Sequence, residues 1–329
     1  MSAPLKITIA DRFTAEAAAW LKSHQEFDVV RSMDPERLAE TEGLIIRSQF
    51  KLPKEVLVTM PKLKAVVTAT VGFDHIDLDE CAARGIQVAY SPNAHSAPAA
   101  EMTWALLLAC ARKLKAADKT VRTQEWDREP LLGTQFDGKT HGIIGLGRIG
   151  TRAARIARAF GMNVVAHDPY RENDYFAEHQ ATRVGMDELF HLSDSISIHV
   201  PLTRETRGRI NKNLFGFMKP HSILVNTSRG GVVKEDDLIL HLKAGGAGTF
   251  GLDVFSQEPM RKGYELLNFA QVVMTPHIGA NTREAFDAVS MEAARNLVAL
   301  LTQKTPSGPL PPQEDWYRAA SGLAGSFGV

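Results

Sequence analysis

Three polar residues that could act together in acid–base chemistry follow three successive apolar segments in the second half of the chain. Arg229 comes just after SILVNT, Glu258 follows GTFGLDVF, and His277 lies in VVMTPHI. Imidazole suits proton transfer near neutral pH, and a neighbouring carboxylate would fix its tautomer. A guanidinium can bind a carboxylate through two parallel hydrogen bonds. Each residue alone could be a helix cap, a loop ion pair or a structural histidine, but the set favours an active site.

A glycine-rich turn stands upstream of these residues, in HGIIGLGRIG. Gly145 permits the tight turn, Gly147 lets backbone approach a pyrophosphate, and Gly150 lets a helix pack close to a strand. The start of the following helix offers free N–H groups to phosphates. Asp168 ends the next apolar segment, where a carboxylate can accept hydrogen bonds from ribose hydroxyls and repel a 2′-phosphate. The pattern predicts bound NAD, although Arg171 leaves NADP open.

Composition excludes several classes of partner. The 329 residues carry 38 basic and 38 acidic side chains, which argues against nucleic acid or a polybasic membrane surface as a partner. Cys81 and Cys110 fall in predicted helices and are expected to be buried thiols. The histidines lack the spacing of metal ligands, so no metal is predicted. No signal pattern opens the chain and no apolar run can span a bilayer, so a cytoplasmic protein is expected.

Strand-like and helix-like segments alternate over the first 95 or so residues. Such alternation predicts a mostly parallel sheet covered on both faces. One long helix, from about residue 98 to residue 122, would lead into the next unit. The strand candidates are residues 6–10, 27–30, 43–48, 63–70 and 86–90.

The alternation resumes in the second half and predicts a six-stranded, doubly wound nucleotide-binding sheet. A helix over about 282–302 follows, and we expect it to return the chain to the first domain. The predicted domains are therefore 1–97 plus 283–329, which binds substrate, and 98–282, which binds NAD. The tail, 303–329, is expected to be extended or partly disordered. The strand candidates are residues 142–147, 163–168, 195–200, 222–227, 248–255 and 272–278.

The chain resembles the D-isomer-specific 2-hydroxyacid dehydrogenase family, which includes phosphoglycerate, glycerate, glyoxylate and D-lactate dehydrogenases. The matching stretches are HGIIGLGRIG, HVPLTRETRGRI, MKPHSILVNTSRGGVV, GLDVFSQEP and TPHIGANT. The resemblance implies an α/β protein with two doubly wound parallel-sheet domains, a Rossmann NAD domain and a flavodoxin-like substrate domain. It implies that His277 is the acid/base, Glu258 its partner and Arg229 the substrate anchor.

The same resemblance implies cofactor contacts beyond the glycine-rich turn. Asp253 would meet the nicotinamide carboxamide, and Arg148 and Ile149 would cover the pyrophosphate. Family members pair through the nucleotide domain, so a homodimer is expected, with the segment around Trp126 as its arm. The remaining cofactor contacts implied are Val200, Thr227 and Ala280.

Two segments of the first domain supply the predicted substrate contacts. TATVGFDHID resembles the family's substrate loop, in which N–H groups around Val71 and Gly72 grip a carboxylate, although Gly72 could also mark an ordinary turn. IIRSQFKL places Arg47, Ser48 and Lys51 just past a strand, where two cations and a hydroxyl could hold a phosphate. It resembles the RSxTKV pattern of phosphoglycerate and phosphoerythronate dehydrogenases, but it could also be a solvated basic loop.

Together the motifs and the resemblance imply an NAD-dependent oxidoreductase acting on a small-molecule D-2-hydroxy acid and its 2-oxo acid, most similar to phosphoglycerate or phosphoerythronate dehydrogenases. A phosphorylated substrate such as 3-phosphoglycerate or 4-phosphoerythronate is expected. Two alternatives stay open: a glyoxylate or hydroxypyruvate reductase, and a non-enzymatic, NADH-sensing corepressor-like protein.

Overall fold

The structure, a computed structural model, describes residues 3–312 and residue 317. The chain divides into two compact units. The first unit combines Met1–His95 with Ala280–Val329, and the second is Ser96–Gly279. The boundaries expected from the sequence, after residues 97 and 282, lie within three residues of these divisions.

Helices and strands alternate along most of the chain. The strands are β1 (Leu5–Ile9), β2 (Phe27–Arg31), β3 (Gly43–Ile46), β4 (Ala65–Thr68), β5 (Gln87–Tyr90), β6 (Thr140–Ile144), β7 (Asn163–His167), β8 (Thr182–Arg183), β9 (Ser195–Ile198), β10 (Ile223–Asn226), β11 (Thr249–Leu252), β12 (Val272–Met274) and β13 (Pro309–Leu310). The α-helices are α1 (Ala15–Lys22), α2 (Pro35–Ala39), α3 (Lys54–Val58), α4 (Leu78–Ala83), α5 (Ser96–Ala111), α6 (Leu114–Arg122), α7 (Arg148–Ala159), α8 (Asn173–Glu178), α9 (Met186–Leu192), α10 (Lys212–Phe215), α11 (Glu235–Lys243) and α12 (Arg283–Leu301).

The first unit is built on a sheet with strand order β2-β1-β3-β4-β5-β13. The first five strands are parallel and follow the flavodoxin-like order 2-1-3-4-5. Their apolar residues are buried on both faces, since α1 and α12 pack on one face through residues such as Leu21 and Leu297. Leu57 and Cys81 belong to the core on the other face. This burial explains the continuous apolar runs of β3 and β4.

The second unit is built on a parallel sheet with strand order β8-β7-β6-β9-β10-β11-β12. This is the dinucleotide-binding order 3-2-1-4-5-6 with one further strand at the β12 edge. Helices α5 and α7 pack on one face of the sheet, and α9 and α11 contribute to the core on the other. The predicted α/β class with two doubly wound parallel sheets is confirmed.

The single long helix predicted over 98–122 is wrong, because the chain forms two helices, α5 and α6, in this region. Lys113, between them, has a φ of +50°, in the left-handed region. A residue in that conformation cannot continue a right-handed helix. Neither glycine nor proline marks the break, so the sequence carries no local signal for it.

Two short strands were also missed. β8 pairs with Val165 and Ala166 of β7, and with two residues it is too short to show a periodic pattern. β13 pairs antiparallel with β5 at the sheet edge, where a proline is tolerated. It shows that part of the predicted tail is ordered, while residues 313–316 and 318–329 lie outside the described part.

Both cysteines are buried and free, as expected. Among the described residues, none of the helices combines the length and the hydropathy that a membrane span requires.

Candidate active site

The glycine-rich turn forms a cradle at the carboxyl end of β6. The strand ends at Ile144, and Gly145 follows with a φ of +90°, which only glycine adopts without strain. A Cβ added at Gly150 would lie 2.1 Å from the carbonyl oxygen of Gly145, so glycine lets α7 pack directly on the turn. A Cβ added at Gly147 would meet no atom within 4 Å. The backbone at Gly147 is therefore open to a ligand.

The start of α7 adds uncapped backbone N–H groups to this cradle. The helix begins at Arg148, its N-cap is Gly147, and no side chain caps its first N–H groups. The first N–H groups of a helix have no partner within the helix, and its dipole favours a negative charge there. No acidic residue lies in the first turn of α7. These features fit the pyrophosphate of a dinucleotide.

Asp168 is fixed beside the cradle, directly after β7. Its Oδ2 accepts a hydrogen bond from the Leu146 amide at 2.9 Å, and its Oδ1 accepts one from the Tyr170 amide at 3.0 Å. These hydrogen bonds fix the carboxylate against the glycine-rich turn, in which Gly145 and Gly147 flank Leu146. The contact of this carboxylate with an adenosine ribose stays a prediction.

Two further predicted cofactor residues follow neighbouring strands of the same sheet. Val200 follows β9, and its Cγ1 lies 2.7 Å from the position of a Cβ on Gly145. Thr227 follows β10, and its hydroxyl is hydrogen-bonded to that of Thr103 at 2.7 Å. Ala280 begins the second segment of the first unit, where its carbonyl accepts a hydrogen bond from Thr282 at 3.0 Å.

His277 and Glu258 form a direct pair. The Nδ1 of His277 lies 2.6 Å from Oε2 of Glu258, and the other carboxylate oxygen accepts a hydrogen bond from the Phe255 amide at 2.9 Å. Burial alone would raise the pKa of Glu258, but these hydrogen bonds and the charges of His277 and Arg229 together hold it below its usual value. Glu258 is therefore ionised at neutral pH, and in the neutral imidazole it keeps the proton on Nδ1.

Arg229 is brought to the same pair by close backbone packing. A Cβ added at the next residue, Gly230, would lie 1.9 Å from the carbonyl carbon of Phe255, so only glycine fits there. The carbonyl of Arg229 accepts a hydrogen bond from Nδ2 of the buried Asn226 at 2.9 Å. The segment with Arg229 thus lies against the backbone that leads to Glu258, and Arg229 is close enough for its charge to lower the pKa of Glu258.

The turn with His277 depends on Asp253. His277 has a φ of +53°, and its amide donates to the Asp253 carbonyl at 2.8 Å. The Asp253 carboxylate is fully buried and accepts three hydrogen bonds, from the Thr275 hydroxyl at 2.6 Å and from the amides of Ile278 and Gly279 at 2.9 and 2.7 Å. It therefore holds the histidine turn in place, and the predicted contact with the nicotinamide stays a prediction.

Sequence reasoning missed two residues that support this arrangement. Asn226 orders the segment leading to Arg229, with Oδ1 accepting from both the amide and the hydroxyl of Ser228. Glu235, the first residue of α11, accepts hydrogen bonds from the amide and hydroxyl of Ser256 and from the hydroxyl of Tyr264. An acidic residue in a first helical turn suggests only a helix cap, so no pattern in the chain predicts this second role.

The predicted substrate residues lie in the first unit, after adjacent strands. Arg47 directly follows β3, and Val71 and Gly72 follow β4, in a turn where the Thr70 hydroxyl donates to the Gly72 carbonyl at 2.7 Å. Ser48 and Lys51 are exposed, whereas Arg47 is half-buried. No group of three or more metal-ligating side chains occurs among the described residues.

Comparison with known protein families identifies the second unit. Residues 104–279 match the model for "D-isomer specific 2-hydroxyacid dehydrogenase, NAD binding domain". The chain belongs to this family. The predicted resemblance is confirmed, and the second unit is the family's NAD-binding domain.

Relatives in the family have several named activities. D-3-Phosphoglycerate dehydrogenase of Mycobacterium tuberculosis is 40% identical over 301 residues, covering 90% of this chain and 57% of the relative. The chain thus spans little more than half of that longer protein. Glyoxylate reductase of Thermococcus litoralis is 40% identical over 278 residues, covering 82% of this chain and 84% of the relative.

Solved structures agree with the fold. D-lactate dehydrogenase from Aquifex aeolicus, complexed with NAD and lactic acid, has a TM-score of 0.83 and 29% identity, covering 93% of this chain and 98% of that structure.

Proposed function

We propose that the protein is an NAD-dependent oxidoreductase that interconverts a D-2-hydroxy acid and its 2-oxo acid. The observation that carries the proposal is the 2.6 Å contact between His277 and Glu258 beside Arg229, within an NAD-binding domain of this family. A proton-transfer group, a partner that orients it and a cation for an anionic substrate are the groups that such a reaction requires.

His277 moves the proton in this mechanism. With Nδ1–H directed to Glu258, the Nε2 of the neutral ring is free to accept the hydroxyl proton of a 2-hydroxy acid. The imidazolium that results is stabilised by the ionised Glu258, and it returns the proton when the 2-oxo acid is reduced. Bound NAD supplies the hydride chemistry at the substrate carbon.

Arg229 binds the substrate and balances its charge. A guanidinium forms two parallel hydrogen bonds to a carboxylate or, in part, to the neighbouring carbonyl oxygen. At the adenosine end, the carboxylate of Asp168 favours NAD over NADP, because it would repel a 2′-phosphate.

We infer a phosphorylated substrate from the first unit. Val71 and Gly72 would bind the substrate carboxylate through backbone N–H groups, and Arg47, Ser48 and Lys51 would bind a phosphate at its far end. The 40% identity to D-3-phosphoglycerate dehydrogenase supports this choice. A glyoxylate or hydroxypyruvate reductase is the second candidate, since the match to glyoxylate reductase covers 84% of that relative.

A substrate panel tests the proposal. The loss of NADH absorbance would be followed with glyoxylate, pyruvate, hydroxypyruvate, 3-phosphohydroxypyruvate and 2-oxo-3-hydroxy-4-phosphobutanoate. We expect turnover, fastest with a phosphorylated acid. Fastest turnover with glyoxylate or hydroxypyruvate would select the second candidate. NADH binding without turnover of any 2-oxo acid would refute the enzymatic function and leave an NADH-sensing role.

We further propose that the protein is a cytoplasmic homodimer. The segment after α6 leaves two large apolar side chains in solvent, with Trp126 76% and Leu132 83% exposed, which a partner subunit would cover. Light scattering on the purified protein should give the mass of two chains, and a monomer at micromolar concentration would contradict the dimer.

A further inference from the structure

A cluster of charged side chains surrounds Phe286 in the first unit. Asp11 and Arg12 follow β1, Arg47 follows β3, and Phe286 lies in the first turn of α12. The guanidinium carbons of Arg12 and Arg47 lie 5.5 and 5.2 Å from the centre of the Phe286 ring. β1 and β3 are neighbours in the sheet, so their carboxyl ends bring the two cations to the same place. We call these four residues the Phe286 cluster.

Two atoms of the Phe286 cluster are buried without a hydrogen-bond partner in the part of the chain that the structure describes. They are Nη1 of Arg47 and Oδ2 of Asp11. The other Asp11 oxygen accepts a hydrogen bond from the Arg12 amide at 2.6 Å. Burial lowers the pKa of Arg47, the charge of Asp11 opposes this change, and the charge of Arg12 adds to it.

Buried polar atoms without partners are rare in folded proteins, because each loses its hydrogen bonds to water. The two orphaned atoms differ in kind, since Arg47 needs an acceptor and Asp11 needs a donor. A bare phosphate would satisfy Arg47 and Arg12 but would be repelled by Asp11. A ligand that carries an oxyanion and a hydroxyl group on neighbouring carbons would satisfy both orphaned atoms.

We propose that the Phe286 cluster binds the distal part of the substrate and selects a 2-oxo acid that has a free hydroxyl group next to its phosphate. Arg12 and Arg47 bind the phosphate, and Asp11 accepts the hydrogen bond of the hydroxyl. This inference rests on the proposed function and narrows its substrate class. Of the five acids in the panel, 2-oxo-3-hydroxy-4-phosphobutanoate has both groups. 3-Phosphohydroxypyruvate has only the phosphate, and hydroxypyruvate has only the hydroxyl.

The order of the strands supports this arrangement. Along the carboxyl edge of the sheet, β4 carries Val71 and Gly72, β3 carries Arg47, and β1 carries Asp11 and Arg12. Neighbouring strands lie about 4.8 Å apart, so the carboxylate loop and the β1 end are separated by roughly 10 Å. The two-carbon glyoxylate does not span that distance, whereas a phosphorylated four-carbon acid can contact several of these groups at once.

Two alanine variants test the separate roles. Arg12→Ala should lower kcat/KM for both phosphorylated acids by roughly tenfold to a hundredfold, because one charge-assisted hydrogen bond is lost. The loss of kcat/KM should be much smaller for glyoxylate and hydroxypyruvate, which carry no phosphate. Asp11→Ala should instead lower kcat/KM for 2-oxo-3-hydroxy-4-phosphobutanoate relative to 3-phosphohydroxypyruvate by about tenfold or more. Arg31→Ala is the matched control, since Arg31 is exposed at the end of the neighbouring β2 and should change none of these ratios.

Arg47→Lys adds a conservative test of the half-buried cation, because it keeps the charge but removes the forked donors. It should lower kcat/KM for the phosphorylated acids more than for glyoxylate. If the variants change all substrates equally, or change none, the cluster is structural or filled by water and this inference is overturned. If the wild-type protein reduces none of the 2-oxo acids, the proposed function itself fails. Turnover of glyoxylate separates the two outcomes.

Discussion

The substitution Gly147→Ala should change the affinity for NADH much more than it changes the stability of the fold. Gly147 has φ −88° and a Cβ there would meet no atom within 4 Å, so alanine fits the folded protein without a clash. Alanine restricts the unfolded chain, a gain of about 0.4–1 kcal/mol, and is poorer than glycine at an N-cap by a similar amount. We therefore expect a net stability change below about 1 kcal/mol, and a melting temperature within about 4 °C of the wild type.

The effect on NADH should be much larger. The new methyl group would lie where the pyrophosphate approaches the backbone, and the loss of one charge-assisted hydrogen bond costs about 1.5–3 kcal/mol. That cost corresponds to a dissociation constant raised by roughly tenfold to a hundredfold. Fluorescence titration with NADH measures the constant, and differential scanning fluorimetry measures the melting temperature.

Gly185→Ala is the matched control for this prediction. Gly185 is also an open N-cap glycine, at the start of α9, and a Cβ there meets no atom within 4 Å. It should share the small stability change of Gly147→Ala and leave NADH affinity unchanged. Equal NADH affinity in the wild type and Gly147→Ala, or equal weakening in both variants, would refute the assignment of the cradle.

Three other substitutions test two of the predicted catalytic residues and the packing beside them. His277→Asn should lower kcat by orders of magnitude while NADH still binds. Stopped-flow kinetics would measure kcat, and a separate titration would measure the affinity for NADH. Glu258→Gln should lower kcat/KM by roughly tenfold to a hundredfold, because the imidazolium loses its ionic partner. Because the pKa of Glu258 is lower in the folded protein than its ordinary value of 4.5, its ionised carboxylate stabilises the fold at any pH above 4.5. This stabilisation is lost as the pH falls through the pKa of the folded state. The free energy of unfolding of Glu258→Gln, measured in urea, should therefore depend less on acid pH than that of the wild type. Gly230→Ala should destabilise the second unit strongly, because its Cβ would lie 1.9 Å from the Phe255 carbonyl carbon, and a melting temperature equal to that of the wild type would contradict the packing described.

Much of the candidate site could be predicted because its signals are local in the chain. The turn from Gly145 to Gly150 and the acid at Asp168 belong to one strand–helix–strand unit, so their spacing alone indicates what they can bind. Arg229, Glu258 and His277 are farther apart, but each follows a strand of one parallel sheet. The carboxyl ends of such strands share an edge, and that rule predicted that the three residues would meet.

Other features depend on packing between distant segments. The break at Lys113 has no glycine or proline to announce it. The Asp253 carboxylate, for which the resemblance implies a nicotinamide contact, is completely buried and receives three hydrogen bonds from the histidine turn, a role that the sequence did not predict. The hydrogen-bond donors around a buried carboxylate depend on how distant segments pack, so the sequence alone does not show which donors they are.

The sequence by itself determined the family, the two parallel sheets and the three residues proposed for proton transfer and substrate binding, because periodic apolar strands and short motifs encode them locally. Only the tertiary structure decided that Arg12 and Arg47 share the ring of Phe286, more than 200 residues away in the chain. Such a contact leaves no pattern in sequence spacing, since it arises when a returning helix packs beside strand ends that the chain formed much earlier.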